Sequence, residues 1–106
     1  MAETLLQIQV GELQRVLDEA DEVRREFNWG DPKRETSKVL SESLEKLRYV
    51  ARGYLDNEET LVRRYGEAAV QERTYELIHE LREFCAELRF LMDRIPAFRK
   101  EVPDGA

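Results

Sequence analysis

A single cysteine, three prolines and five glycines in 106 residues remove several architectures at once. The lone thiol, Cys85, cannot close an intrachain disulfide or make a zinc site by itself, which agrees with a reducing compartment. So little Gly and Pro beside 38% charged residues is the composition of long solvated helices, not of a β-sandwich or a linker. Long apolar runs are missing too, since none approaches the roughly 20 residues of a membrane-spanning helix. Met1-Ala2-Glu3-Thr4 carry no basic region followed by an apolar stretch and a small-residue cleavage site. The expectation is a soluble, cytoplasmic chain that makes no membrane contact. Positive charge is in deficit as well. Seventeen Lys and Arg against 23 Asp and Glu give a net charge of −6, which opposes the phosphate attraction that nucleic-acid binders rely on, so nucleic acid is not an expected partner. Thirteen of the bases are Arg, the better residue for bidentate pairing with carboxylates, so many should be engaged by neighbouring Glu.

What is present is periodicity. Leu6, Val10, Leu13, Leu17, Ala20 and Phe27 recur at helical spacing, with Val16 and Val23 widening the stripe and Arg24 interrupting it. Thr4 followed by Gln7 reads as a capping box, in which the hydroxyl accepts an orphan backbone N–H and the amide reaches back, predicting a helix over Leu5 to Phe27. Asn28-Trp29-Gly30-Asp31-Pro32 then supplies a turn, with Asp31 as N-cap and Pro32 at the first position of a second helix that runs to Leu55. Leu40, Leu44, Leu47, Ala51 and Tyr54 form its apolar face, with Val50 and Leu55 beside them.

The next corner has two candidates. Asp56-Asn57-Glu58-Glu59 reads as a stop and restart, although Leu61, Val62, Tyr65 and Ala69 continue the angular phase begun at Leu40. After Gly66 the phase shifts, and Val70, Thr74, Leu77, Leu81, Phe84, Leu88, Leu91 and Ile95 set up a new stripe. The Asp56-Asn57 break is favoured, because Glu67-Ala68-Ala69 after Gly66 offers no good N-cap residue. Pro96 should end the last helix at Ile95, leaving residues 96–106 as a polar tail.

An unbroken third helix from Glu58 to Ile95 would be roughly 57 Å long against roughly 35 Å for the first. It would project by about 20 Å, carrying Phe84, Leu88, Leu91, Met92 and Ile95 into solvent, where a second copy would cover them. A corner at Gly66 instead gives a more compact bundle in which less needs covering. With Thr74 at heptad position a, Leu81 and Leu88 also fall at a, Leu77 and Phe84 at d, and Ile78, Cys85 and Met92 at e. A face this broad packs against at least two other helices.

Candidate chemistry is sparse. Glu76-Leu77-Ile78-His79 has the Glu-x-x-His spacing of di-iron bundles, but Glu76 falls at c and His79 at f, on the outward face. Arg73 and His79 have five residues between them. Over that stretch the chain resembles HEPN-type ribonucleases, small helical bundles that act as dimers and cut RNA at the 2′-OH with an Arg and a His in a composite cleft. The resemblance implies catalytic Arg73 and His79, although Thr74 stands where that family carries a polar amide, an acid or His. Trp29-Gly30 between two helices resembles the Trp-x-Gly turn of small secreted helical-hairpin proteins, without the intervening residue; otherwise Trp29 closes the end of the core over Phe27. Cys85 reads as a small buried hydrophobe.

Aromatics on outward positions are more informative. Arg48, Tyr49 and Arg52 form one such cluster on the second helix, and Phe90, Arg94 and Phe98 form another at the end of the last, a composition enriched in interface cores. The sequence therefore predicts an all-α antiparallel bundle of three long helices, with room for a short fourth, as one domain over residues 1–95. It predicts completion by self-association into a homodimer or larger homo-oligomer. The expected function is a non-enzymatic interaction module of adaptor, antitoxin or inhibitor type that needs no cofactor and offers an acidic surface to a second, basic protein. The alternatives are a ribonuclease using Arg73 and His79 and a metal-binding bundle using Glu76 and His79.

Overall fold

The computed structural model describes residues 3–30 and 34–100. Four α-helices follow one another: α1 (Leu5–Glu26), α2 (Arg34–Asp56), α3 (Glu58–Tyr65) and α4 (Glu67–Arg94), with a 3-10 turn at Pro96–Phe98. α1 starts where its capping box predicts. The Thr4 hydroxyl accepts the Gln7 backbone N–H at 3.1 Å, and the Thr4 backbone N–H donates to the Gln7 side-chain oxygen at 2.8 Å. Asp31 and Pro32, the expected start of the second helix, lie outside the described residues.

Two pairs of ion pairs fix the helix directions. Glu12 of α1 meets Arg82 of α4 and Glu19 meets Arg89, both at a separation of seventy residues, so α1 and α4 run parallel. Asp21 meets Arg48 of α2 at 2.7 Å and Arg24 meets Glu45 at 3.2 Å, numbers rising on one helix and falling on the other, so α2 runs antiparallel to α1. The long helices alternate up, down, up. The core lies chiefly between α1 and α4, where Leu13, Leu17, Val23, Leu77, Leu81 and Leu88 are almost fully buried. α2 covers it with Leu40, Leu44 and Ala51, while Leu47, Val50, Tyr54 and Leu55 are only partly buried.

Both candidate corners are used, which corrects the single long third helix. Around Asn57 the hydrogen-bond ladder resumes within a residue: its N–H donates to the Gly53 carbonyl at 3.0 Å, and its carbonyl accepts from Leu61 at 2.9 Å. Gly66 is the sharper break, at φ 90° and ψ 151°, a conformation open in practice only to glycine. It has no side chain with which to cap α4, so backbone freedom outweighs the missing N-cap. Because the chain turns at Gly66 and the offset of seventy residues sets Phe84 to Arg94 level with residues 14–24 of α1, the last turns of α4 do not project. Phe84, Leu88 and Met92, expected to be covered by a second copy, are buried within the chain, and Leu91 and Ile95 pack against the same core.

The packed unit also extends beyond Ile95. The turn at Pro96–Phe98 returns the chain onto the end of α1, where Asn28 N–H donates to the Phe98 carbonyl at 2.6 Å and Lys100 N–H to the Glu26 carbonyl at 2.8 Å. Phe98 stacks on Phe27 with ring centroids 5.2 Å apart, and Trp29 lies 4.5 Å from Phe27 on a tilted ring. The Trp29 indole N–H donates to the Arg24 carbonyl at 2.8 Å, satisfying an orphan acceptor of the last turn of α1. Three aromatic rings thus close one end of the bundle, and Phe98 is core where a polar tail was expected. Residues 101–106 of that tail lie outside the described residues.

Candidate interaction surface

The outer side of α2 combines an exposed aromatic ring with a concavity. Tyr49 is 82% exposed, the most exposed of the large apolar and aromatic side chains among the described residues. It lines a groove of about 800 Å3 whose other walls include Arg48, Arg52, Gly53, Tyr54, Asp56 and, from α3, Leu61. The groove forms where α2 gives way to α3. The Gly53 carbonyl accepts both the backbone and the side-chain N–H of Asn57, each at 3.0 Å. Gly53 has no side chain to fill the space above that bend: outside its own helix backbone, no atom lies within 4 Å of where a Cβ would stand.

The two arginines of this wall differ. Arg48 donates to Asp21 at 2.7 Å and to both carboxylate oxygens of Glu45 at 3.1 Å. Partial burial opposes its charge, but hydrogen bonds and attraction from Asp21 and Glu45 prevail and push its pKa further up. It is thereby held rigid, a fixed edge of the groove. Arg52 is exposed and enters none of the ion pairs found among the described residues.

The second cluster divides. Phe90 is 56% exposed with the Arg94 guanidinium 5.1 Å above its ring, while Phe98 is buried on the far side of the turn. An outward stripe of Glu72, Glu76, Glu83 and Glu87 leads along α4 to Phe90. Arg73 donates to Glu76 at 3.0 Å and to Glu80 at 3.4 Å, so its guanidinium is already occupied. His79 lies on Glu83 at 3.1 Å and is exposed. Six residues apart on a helix, Arg73 and His79 point about 120° away from each other and share no cleft within the chain. Among the described residues no three His, Cys, Asp or Glu side chains form a group that could hold a metal ion, and Glu76 and His79 keep separate partners.

Burial pushes the Cys85 thiol up, the charge of Glu19 adds to the shift and Arg89 works against it, so the thiolate a nucleophile needs is disfavoured. Among the described residues no helix is long and apolar enough to cross a membrane. The α1/α4 ladder escaped the periodicity reading although its signal is in the sequence: Glu12, Glu19 and Glu26 recur every seven residues, as do Arg82 and Arg89. Glu26 faces Arg99 beyond the turn at 3.7 Å. One heptad earlier in the same register stand Leu5 and Tyr75, 58% and 64% exposed. Comparison with protein-family models, with curated proteins and with solved structures finds no match to this chain.

Proposed function

We propose that the protein is a non-enzymatic interaction module that docks other protein surface into the groove on α2 and α3. The observation that carries this reading is Tyr49, held 82% exposed on the wall of a concavity beside an Arg48 fixed by ion pairs and an Arg52 that enters no ion pair among the described residues. An exposed aromatic side chain next to arginine and an unfilled hollow is the composition of an interface anchor. The glutamates of α4 do not line the groove, and with the net charge of −6 they favour a basic partner on that separate face, with attraction that weakens as salt rises. Adaptor, antitoxin and inhibitor roles all use such a surface.

The test replaces Tyr49 by a photo-crosslinking phenylalanine analogue in the cells the protein comes from. A discrete adduct is expected from position 49, absent when the same analogue stands at Ile8, and lost when Arg52→Ala is added. His79→Ala serves as a control that leaves the adduct unchanged. No adduct at position 49, or the same set of adducts from both positions, overturns the reading.

A further inference from the structure

Resting on that reading of the groove, we infer that its occupant is the same groove of a second copy, with the two α2 helices crossing antiparallel. The outward positions of α2 and the start of α3 are Glu42, Lys46, Tyr49, Gly53, Asp56 and Thr60, spaced alternately by four and three and so aligned along one face. This face is distinct from the buried one, which uses Leu40, Leu44 and Ala51. Its order is self-complementary. Tyr49 and Gly53 each lie two residues from Ala51, and Lys46 and Asp56 each lie five residues from it. A two-fold axis over Ala51 therefore sets Tyr49 of each copy against Gly53 of the other, and Lys46 of each against Asp56 of the other.

Both contacts fit what is on the surface. The ring needs room, and Gly53 leaves it on the groove wall, with no atom beyond its chain neighbours and its own helix backbone within 4 Å of where a Cβ would stand. The flanking charges need to be unspent. Lys46 and Asp56 are exposed and take part in none of the ion pairs among the described residues. In a parallel arrangement Tyr49 would meet Tyr49 and Lys46 would meet Lys46, so the charge order selects the antiparallel one. Only a few layers take part, which places the contact at the small end of specific interfaces, with a dissociation constant on the order of 10–100 µM.

Sedimentation equilibrium of the full chain across that range tests the inference. The mass is expected to rise with concentration from 12.5 kDa toward twice that value. Lys46→Asp and Asp56→Lys should each weaken the dimer at least about tenfold by setting like charges together, and the two combined should restore it. Gly53→Leu should fill that room and abolish association while the helical signal is retained. A mass of one chain throughout, or a dimer indifferent to the single reversals, or no rescue by the double, overturns the inference. A monomer that still crosslinks from position 49 to a different protein leaves the interaction module standing and removes only the second copy as occupant. Loss of both signals removes the two together.

Discussion

Glu19 of α1 and Arg89 of α4 form an ion pair across two parallel helices, seven residues beyond Glu12 and Arg82 on each strand of the ladder. Both Glu19 and Arg89 are more than two-fifths exposed, so solvent screens them heavily. A double-mutant cycle with Glu19→Ala and Arg89→Ala, read by urea denaturation, should give a coupling of about 0.2–1 kcal/mol that shrinks in high salt. A coupling that is absent in low salt would remove the parallel register from the account of stability.

Gly66 is the position least able to accept a side chain. Gly66→Ala forces a Cβ into φ 90° and should destabilise the fold by about 1–3 kcal/mol. Gly11, inside α1 with open space around it, should show the reverse, Gly11→Ala adding about 0.5–1 kcal/mol through helix propensity. Thermal denaturation of the two variants compares them directly, and equal effects would contradict the corner.

Phe98 tests the aromatic end of the bundle. Phe98→Ala removes a ring that is 1% exposed and stacked on Phe27, and should lower stability by about 3–5 kcal/mol. Fluorescence of Trp29, whose ring lies against Phe27, should report the change as well. A variant as stable as the parent would return Phe98 to the surface.

Cys85 carries a pH dependence with a defined sign. Its pKa is raised in the folded chain, so its contribution is fully present below the ordinary value of 9.0 and is lost as pH rises through the higher folded value. Stability should therefore decline above about pH 9, more steeply in the parent than in Cys85→Ala. Identical alkaline slopes in the two proteins would show that the thiol does not report its burial.

Local signals were legible in the sequence and non-local ones were not. The Thr4 and Gln7 capping box could be read because its partners are three residues apart, and the buried stripes of α1 and α4 because helical spacing reveals a shared face. The break at Asp56-Asn57 is legible and present, but Gly66 is a corner as well, because the positive φ open to it outweighs the absence of a capping side chain. Phe98 reads as part of a docking surface because it follows the outward Phe90 and Arg94, and a single ring beyond Pro96 has no period to betray its burial. At the groove, periodicity placed Arg48, Tyr49 and Arg52 outward. The hollow beside them arises from the bend at Asn57 and the bare backbone of Gly53, which a count of apolar positions does not register.

The pairing of α1 with α4 also sets the order in which the chain can assemble during synthesis. α1 has its chief apolar neighbour seventy residues downstream, and of the helices between them α2 gives only a shallower cover. The apolar side of nascent α1 thus lacks that partner until α4 itself has cleared the ribosome. Chains halted before that point expose an amphipathic hairpin of the kind that aggregates.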